Sequence, residues 1–161
     1  MPQPSIRYLL LGSLLFLLAG LAFTAVLPGL EPYPEGATAG PYGELQLRGR
    51  AVYIREGCMY CHTQQVRSIE AGIGTVHQKG DIGPESLPGD YAHQQPVLWG
   101  TERQGPDLAH VASRPPGNSP QWQVEHLKNP QVFNQGTLMP SFRHLPQADL
   151  EALADYLMTL R

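Results

Sequence analysis

Between Arg7 and Glu31 the chain carries no charged side chain, and the 23 positions from Tyr8 to Leu30 are mostly Leu, Phe, Ala, Gly and Val. A helix rising ~1.5 Å per residue over that length crosses the ~30 Å hydrocarbon core of a bilayer with room for tilt. The competing reading is a cleaved signal peptide, whose apolar region runs ~7–15 residues and ends at a small-x-small site. Here the stretch from Leu9 to Leu27 already exceeds that length, and the small residues Ala19, Gly20 and Ala22 lie inside it. A retained single-pass anchor over residues 8–30 is therefore the expectation. Residues 1–7 would form a short cytoplasmic N-terminus. Arg7 is the only basic residue before the span, and acidic residues contribute little to orientation, so the positive-inside rule points to N-terminus in and C-terminus out.

Past the span, Pro28, Pro32, Pro34 and Pro41 alternate with Gly29, Gly36, Gly40 and Gly43. Proline lacks a backbone donor and glycine lacks conformational preference, so residues 31–43 read as a linker. One domain of ordinary size, residues 44–161, follows. Its many Gly and Pro, part of 17 and 16 in the whole chain, predict long loops. The formal net charge is −3, which removes the basic footprint of a nucleic-acid binder. Two cysteines are too few for a disulfide framework or a four-thiolate zinc site.

Those two cysteines stand in Cys58-Met59-Tyr60-Cys61-His62, a CxxCH sequence. Two thiols three positions apart on a helical turn can each add to one vinyl group of the same porphyrin, and the adjacent imidazole then faces the iron. A redox CxxC would accompany a βαβ pattern, which the chain lacks. A zinc site would need more ligands at close spacing, whereas His77, His93, His110, His126 and His144 are scattered. The reading is one covalent haem c held by Cys58 and Cys61, with His62 as iron ligand. Covalent haem c is installed outside the cytoplasm, which agrees with the orientation of the anchor.

An electron carrier fills the sixth iron position. Met1 is the terminus, Met59 lies between the cysteines, and Met158 falls in the last helix, which leaves Met139 in Gly136-Thr137-Leu138-Met139-Pro140. Pro140 restricts the preceding backbone to extended conformations, and a thioether raises the reduction potential relative to a second imidazole. The alternatives are His126 and His144, the histidines nearest to that loop, each otherwise a solvated surface residue. Haem propionates need donors, and Trp99 and Arg103 offer an indole N–H and a guanidinium. Packing of Trp99 on the porphyrin is an equal alternative. Gly105-Pro106-Asp107-Leu108 reads as the segment passing the haem edge, or as a generic turn.

The remaining pattern predicts an all-α domain, a small class I-like cytochrome c fold behind the transmembrane helix. A helix from Leu45 to Gly57 delivers Cys58, with Leu45, Val52 and Tyr53 on one face. A second runs from Gln147 to Leu160, where Leu150, Leu153, Ala154 and Leu157 form a single apolar stripe. Thr63 to Trp99 shows no clear period, and an insert of that length is functional or disordered.

Arg55 to Arg67, REGCMYCHTQQVR, resembles the haem segment of the mono-haem cytochrome c subunit (subunit II) of cbb3-type cytochrome c oxidases. Trp99 to Leu108, WGTERQGPDL, is similar to that family's second block, and His126-Leu127, Asn129-Pro130 and Met139-Pro140 to its third and fourth. The resemblance covers about residues 45 to 145. It implies a low-spin haem c ligated by His62 and Met139, with Pro106 in the haem-binding set. It also implies a polytopic haem–copper catalytic subunit as partner, with another cytochrome c subunit or a soluble cytochrome c as donor. The setting is the bacterial cytoplasmic membrane, with the haem domain on the periplasmic face. Such a subunit relays electrons to the oxygen-reducing site and has no catalytic residue of its own. Ser113 to Gln121 and the segment between Glu70 and Gln94 depart from the family pattern. Two other readings remain: the cytochrome c subunit of a nitric oxide reductase, similar apart from the Trp99–Leu108 block, and a free membrane-tethered electron shuttle.

Overall fold

The computed structural model describes residues 5–30, 41–70 and 83–161, and the chain divides into two compact units, Met1–Tyr33 and Pro34–Arg161. Among the described residues every regular element is helical and none is a strand, as the sequence pattern predicts. Most of the expected linker lies outside the described residues.

The first unit is one helix, α1 (Ile6–Leu30), about 37 Å long. None of its residues is buried within the protein, and its large apolar side chains are exposed along the whole length, as a lipid-facing helix requires. Its two aliphatic hydroxyls turn back on the backbone, Ser13 Oγ donating to Leu9 O at 2.8 Å and Thr24 Oγ1 to Gly20 O at 2.7 Å. Neither is thus left bare in an apolar surrounding. Ala22–Val26 widens into a π-helical turn just before Pro28, whose missing N–H and ring disturb the regular ladder.

The second unit is organised by two helices distant in sequence, α2 (Glu44–Arg55) and α5 (Gln147–Leu157). They meet at Gly49, where a Cβ would lie 1.8 Å from the carbonyl oxygen of Ala152 and 2.9 Å from Tyr156 Cβ. Only hydrogen fits there. Around this point Val52, Tyr53, Leu150, Leu153, Ala154, Tyr156 and Leu157 are buried, so the predicted apolar stripe of α5 is its core face. Tyr53 and Tyr156 meet edge to face with centroids 5.6 Å apart. Asp149, in the first turn of α5, takes Arg48 at 2.7 Å and Arg55 at 3.1 Å. Leu45 departs from expectation: it is 49% exposed, because Tyr42, before the helix, covers Tyr156 edge-on instead.

The insert after the CxxCH segment is less loose than its composition suggests. Val66 and Leu98 are fully buried, and Arg50 of α2, itself buried, donates to the carbonyls of Gln95 (3.0 Å) and Pro96. A buried guanidinium needs such acceptors, and here they pin the end of the insert to α2. Residues 71–82 lie outside the described part. Downstream, α3 (Pro120–Lys128) starts at Ser119, whose Oγ accepts from Trp122 N at 3.3 Å, and the single turn α4 (Pro130–Phe133) follows at once.

Candidate functional site

Helix α2 ends at Gly57, whose φ of +73° is the left-handed conformation that glycine adopts without cost. The chain then makes a tight turn over Cys58–Tyr60, and Cys58 O accepts from both Cys61 N (3.1 Å) and His62 N (3.0 Å). Both thiols are free. Cys58 packs against the core, and burial pushes its pKa up to about 12. The Cys61 sulfur sits 3.7 Å from Gln104 Oε1.

His62 is fixed from the other side by the segment Gly100–Leu108. Its Nδ1 lies 2.7 Å from the carbonyl oxygen of Pro106. A carbonyl only accepts, so the proton resides on Nδ1 and the lone pair on Nε2. Burial lowers the imidazole pKa, which favours this neutral form. The segment is laced to the CxxCH strand of chain by Gln64 N to Trp99 O (2.8 Å), Gly105 N to Cys61 O (2.9 Å) and Leu108 N to Thr63 O (2.8 Å). Two glycines permit the approach. A Cβ on Gly100, at φ +73°, would lie 2.5 Å from His62 O, and one on Gly105 would lie 2.3 Å from His62 Cε1. Gly105→Ala is therefore expected to push the imidazole off the Pro106 carbonyl, seen as shifted His62 ring resonances by NMR.

Arg103 is largely spent on binding this segment to residues 63–70. Its Nε donates to Thr63 Oγ1 (2.6 Å), Nη1 to Glu70 (2.6 Å), and Nη2 to Gln65 O (2.5 Å), Glu70 (2.8 Å) and Asp107 (3.2 Å). One Nη1 proton remains uncommitted among the described residues. Trp99 is half exposed, edge-on to Tyr91 at 5.8 Å.

Met139 is partly buried against the core, at the end of a loop built by one side chain. Gln131 Nε2 donates to Thr137 O at 2.7 Å, while its Oε1 accepts from Gly136 N at 3.2 Å. Gly136 has φ +78°, and Thr137 Oγ1 accepts from Met139 N at 3.2 Å. The two histidines weighed as alternatives separate here. His144 is on the surface, 3.4 Å from Glu56. His126 is not the solvated residue expected: it stacks on Trp122 at 4.6 Å, its Nδ1 is buried without a hydrogen bond, and His62 is near enough to help burial lower its pKa. Among the described residues no three His, Cys, Asp or Glu side chains gather as a metal site.

These features fit a porphyrin iron better than a bare ion. Two free thiols precede a histidine whose Nδ1 is held by a carbonyl, a glycine cradle backs its ring, and a buried imidazole nitrogen without a hydrogen bond among the described residues lies nearby. The fold and the CxxCH turn thus define a small c-type cytochrome domain, carried on a chain with a candidate membrane anchor. A comparison with curated proteins gives no match. The family profile "Cytochrome C oxidase, mono-heme subunit/FixO" matches residues 8–160, nearly the whole chain, and the chain belongs to that family. It is accordingly a haem c subunit of a cbb3-type cytochrome c oxidase complex, whose catalytic subunit is of the haem–copper type. The match extends through both segments that depart from the expected pattern.

The residues that sequence reasoning passed over are Gly49, Gly100 and Asp107. Gly49 carries a usable signal, a lone glycine in a helical stretch. Asp107 carries none of its own, since its partners come from another part of the chain.

Proposed function

We propose that Cys58 and Cys61 hold one haem c by thioether bonds, that His62 and Met139 ligate its iron, and that the subunit relays electrons from a donor cytochrome to the catalytic haem–copper subunit on the periplasmic side of the bacterial cytoplasmic membrane. The haem, when bound, supplies a one-electron Fe(III)/Fe(II) couple. The observation that carries the reading is the His62 Nδ1–Pro106 carbonyl contact of 2.7 Å, which presents Nε2 as a ligand before any metal arrives. The chain's own work is to hold the imidazole, exclude water with the α2–α5 core, and bring up a thioether on a glycine-hinged loop. Trp99 offers a ring and an N–H to the porphyrin's propionate edge, and Arg103 its remaining Nη1 proton.

Mild detergent extraction from native membranes tests the assignment. A complex with b-type haems and copper that consumes oxygen is the expected result. Nitric oxide reduction without copper would transfer the subunit to a nitric oxide reductase, and a lone haem c protein would make it a tethered shuttle.

Met139→Ala is expected to keep its haem, lower the potential by at least about 59 mV (tenfold for one electron) and admit carbon monoxide. An unchanged potential in a six-coordinate variant would move the ligand role to His126.

A further inference from the structure

Beneath the His62 contact lies a fully buried carboxylate that the proposed chemistry does not use. Asp107 has no side-chain exposure, yet four donors converge on it. Its Oδ2 accepts from Thr63 Oγ1, from Gln65 N at 3.0 Å and from Arg103 Nη2 at 3.2 Å, and its Oδ1 from Ala109 N at 2.8 Å. Its carbonyl oxygen accepts from Arg114. Thr63 directly follows His62, and Asp107 directly follows Pro106. The two hydrogen bonds, His62 Nδ1 to Pro106 O and Thr63 Oγ1 to Asp107 Oδ2, therefore close a small ring across two pairs of covalently joined residues.

We infer that Asp107 is a positioning residue: through Thr63 and Pro106 it locks the orientation of the His62 imidazole and, with its buried charge, sets the reduction potential of the iron that His62 holds. This rests on the proposed ligation by His62. A ring closed through the imidazole's own Nδ1–H bond restrains its tilt and holds that hydrogen bond in place. A negative charge held in a low-dielectric interior favours the more positive, oxidised centre. Arg103 makes the burial tolerable by pairing with the carboxylate, and Glu70 shares that guanidinium from the far side at 2.6 Å.

Asp107→Asn keeps the shape and removes the charge. In the haem-loaded full-length chain, its reduced-to-oxidised ratio at a fixed ambient potential is expected to rise about tenfold, which is 59 mV for one electron. Thr63→Val opens the ring with no change of charge, and is expected to alter the ferric EPR g-values that report ligand orientation. Glu151→Gln, which removes an exposed carboxylate on α5 bonded to Gln147 at 2.8 Å, is expected to leave both readouts at wild type. A wild-type potential and EPR spectrum in haem-loaded Asp107→Asn would overturn the inference. So would unaltered EPR in Thr63→Val, which decides alone if Asp107→Asn fails to fold. An equal shift in Glu151→Gln would reduce the effect to general charge and overturn it as well. Absence of covalent haem in the wild-type chain would instead defeat the ligation reading.

Discussion

Cys58→Ala and Cys61→Ala are each expected to lose most of the covalently bound haem, read as haem-linked peroxidase staining of the denatured chain and as the pyridine haemochrome spectrum. The turn over Cys58–Tyr60 sets both sulfurs from one short piece of backbone, with His62 N bonded to Cys58 O. One thioether alone leaves the porphyrin free to pivot about a single bond, and the geometry facing His62 is then no longer enforced. The two thiols differ. Cys58 is partly buried against the core, which pushes its thiol pKa up to about 12, whereas the Cys61 sulfur faces Gln104. Cys58→Ala, which also removes a core contact, is expected to lower the folded yield as well as the haem content. Undiminished, doubly linked haem in either variant would refute the attachment.

How far the sequence revealed this arrangement depends on how local each determinant is. The CxxCH turn is contained in five residues, and the stripe of α5 repeats every three to four, so both are readable without a partner. Leu45 misled because spacing gives a face but not its occupant: Tyr42, outside the helix, took the position over Tyr156. The insert looked unstructured because Val66 and Leu98 are single buried residues without a period. His126 and His144 look alike in sequence. Trp122 stacks on His126 from four residues earlier on α3, a local signal, whereas only the tertiary fold sets His144 beside Glu56 in solvent. Asp107 was invisible for the same reason, since the donors on its carboxylate span Thr63 to Ala109.

The α2–α5 contact supplies the other large effect. Gly49→Ala adds one methyl to a helix interior, a change that by propensity alone stabilises by about 1 kcal/mol. The structure reverses the sign. That Cβ would sit 1.8 Å from the Ala152 carbonyl oxygen and 2.4 Å from its carbonyl carbon. Backbone cannot rotate away as a side chain can, so the helices must separate along their contact. Separation loosens the Tyr53–Tyr156 ring pair and stretches the Arg48–Asp149 and Arg55–Asp149 ion pairs. Overpacking of this kind costs about 3 kcal/mol or more when no side chain can yield, lowering Tm on the order of 10 °C in a domain of this size. Because α2 leads directly into Cys58, the same displacement carries the haem segment with it, and haem content falls in step. Gly12→Ala provides the contrast, because among the described residues no atom lies within 4 Å of its Cβ position. A helical melt of Gly49→Ala at or above the wild-type temperature would show that the two helices are not held at backbone contact.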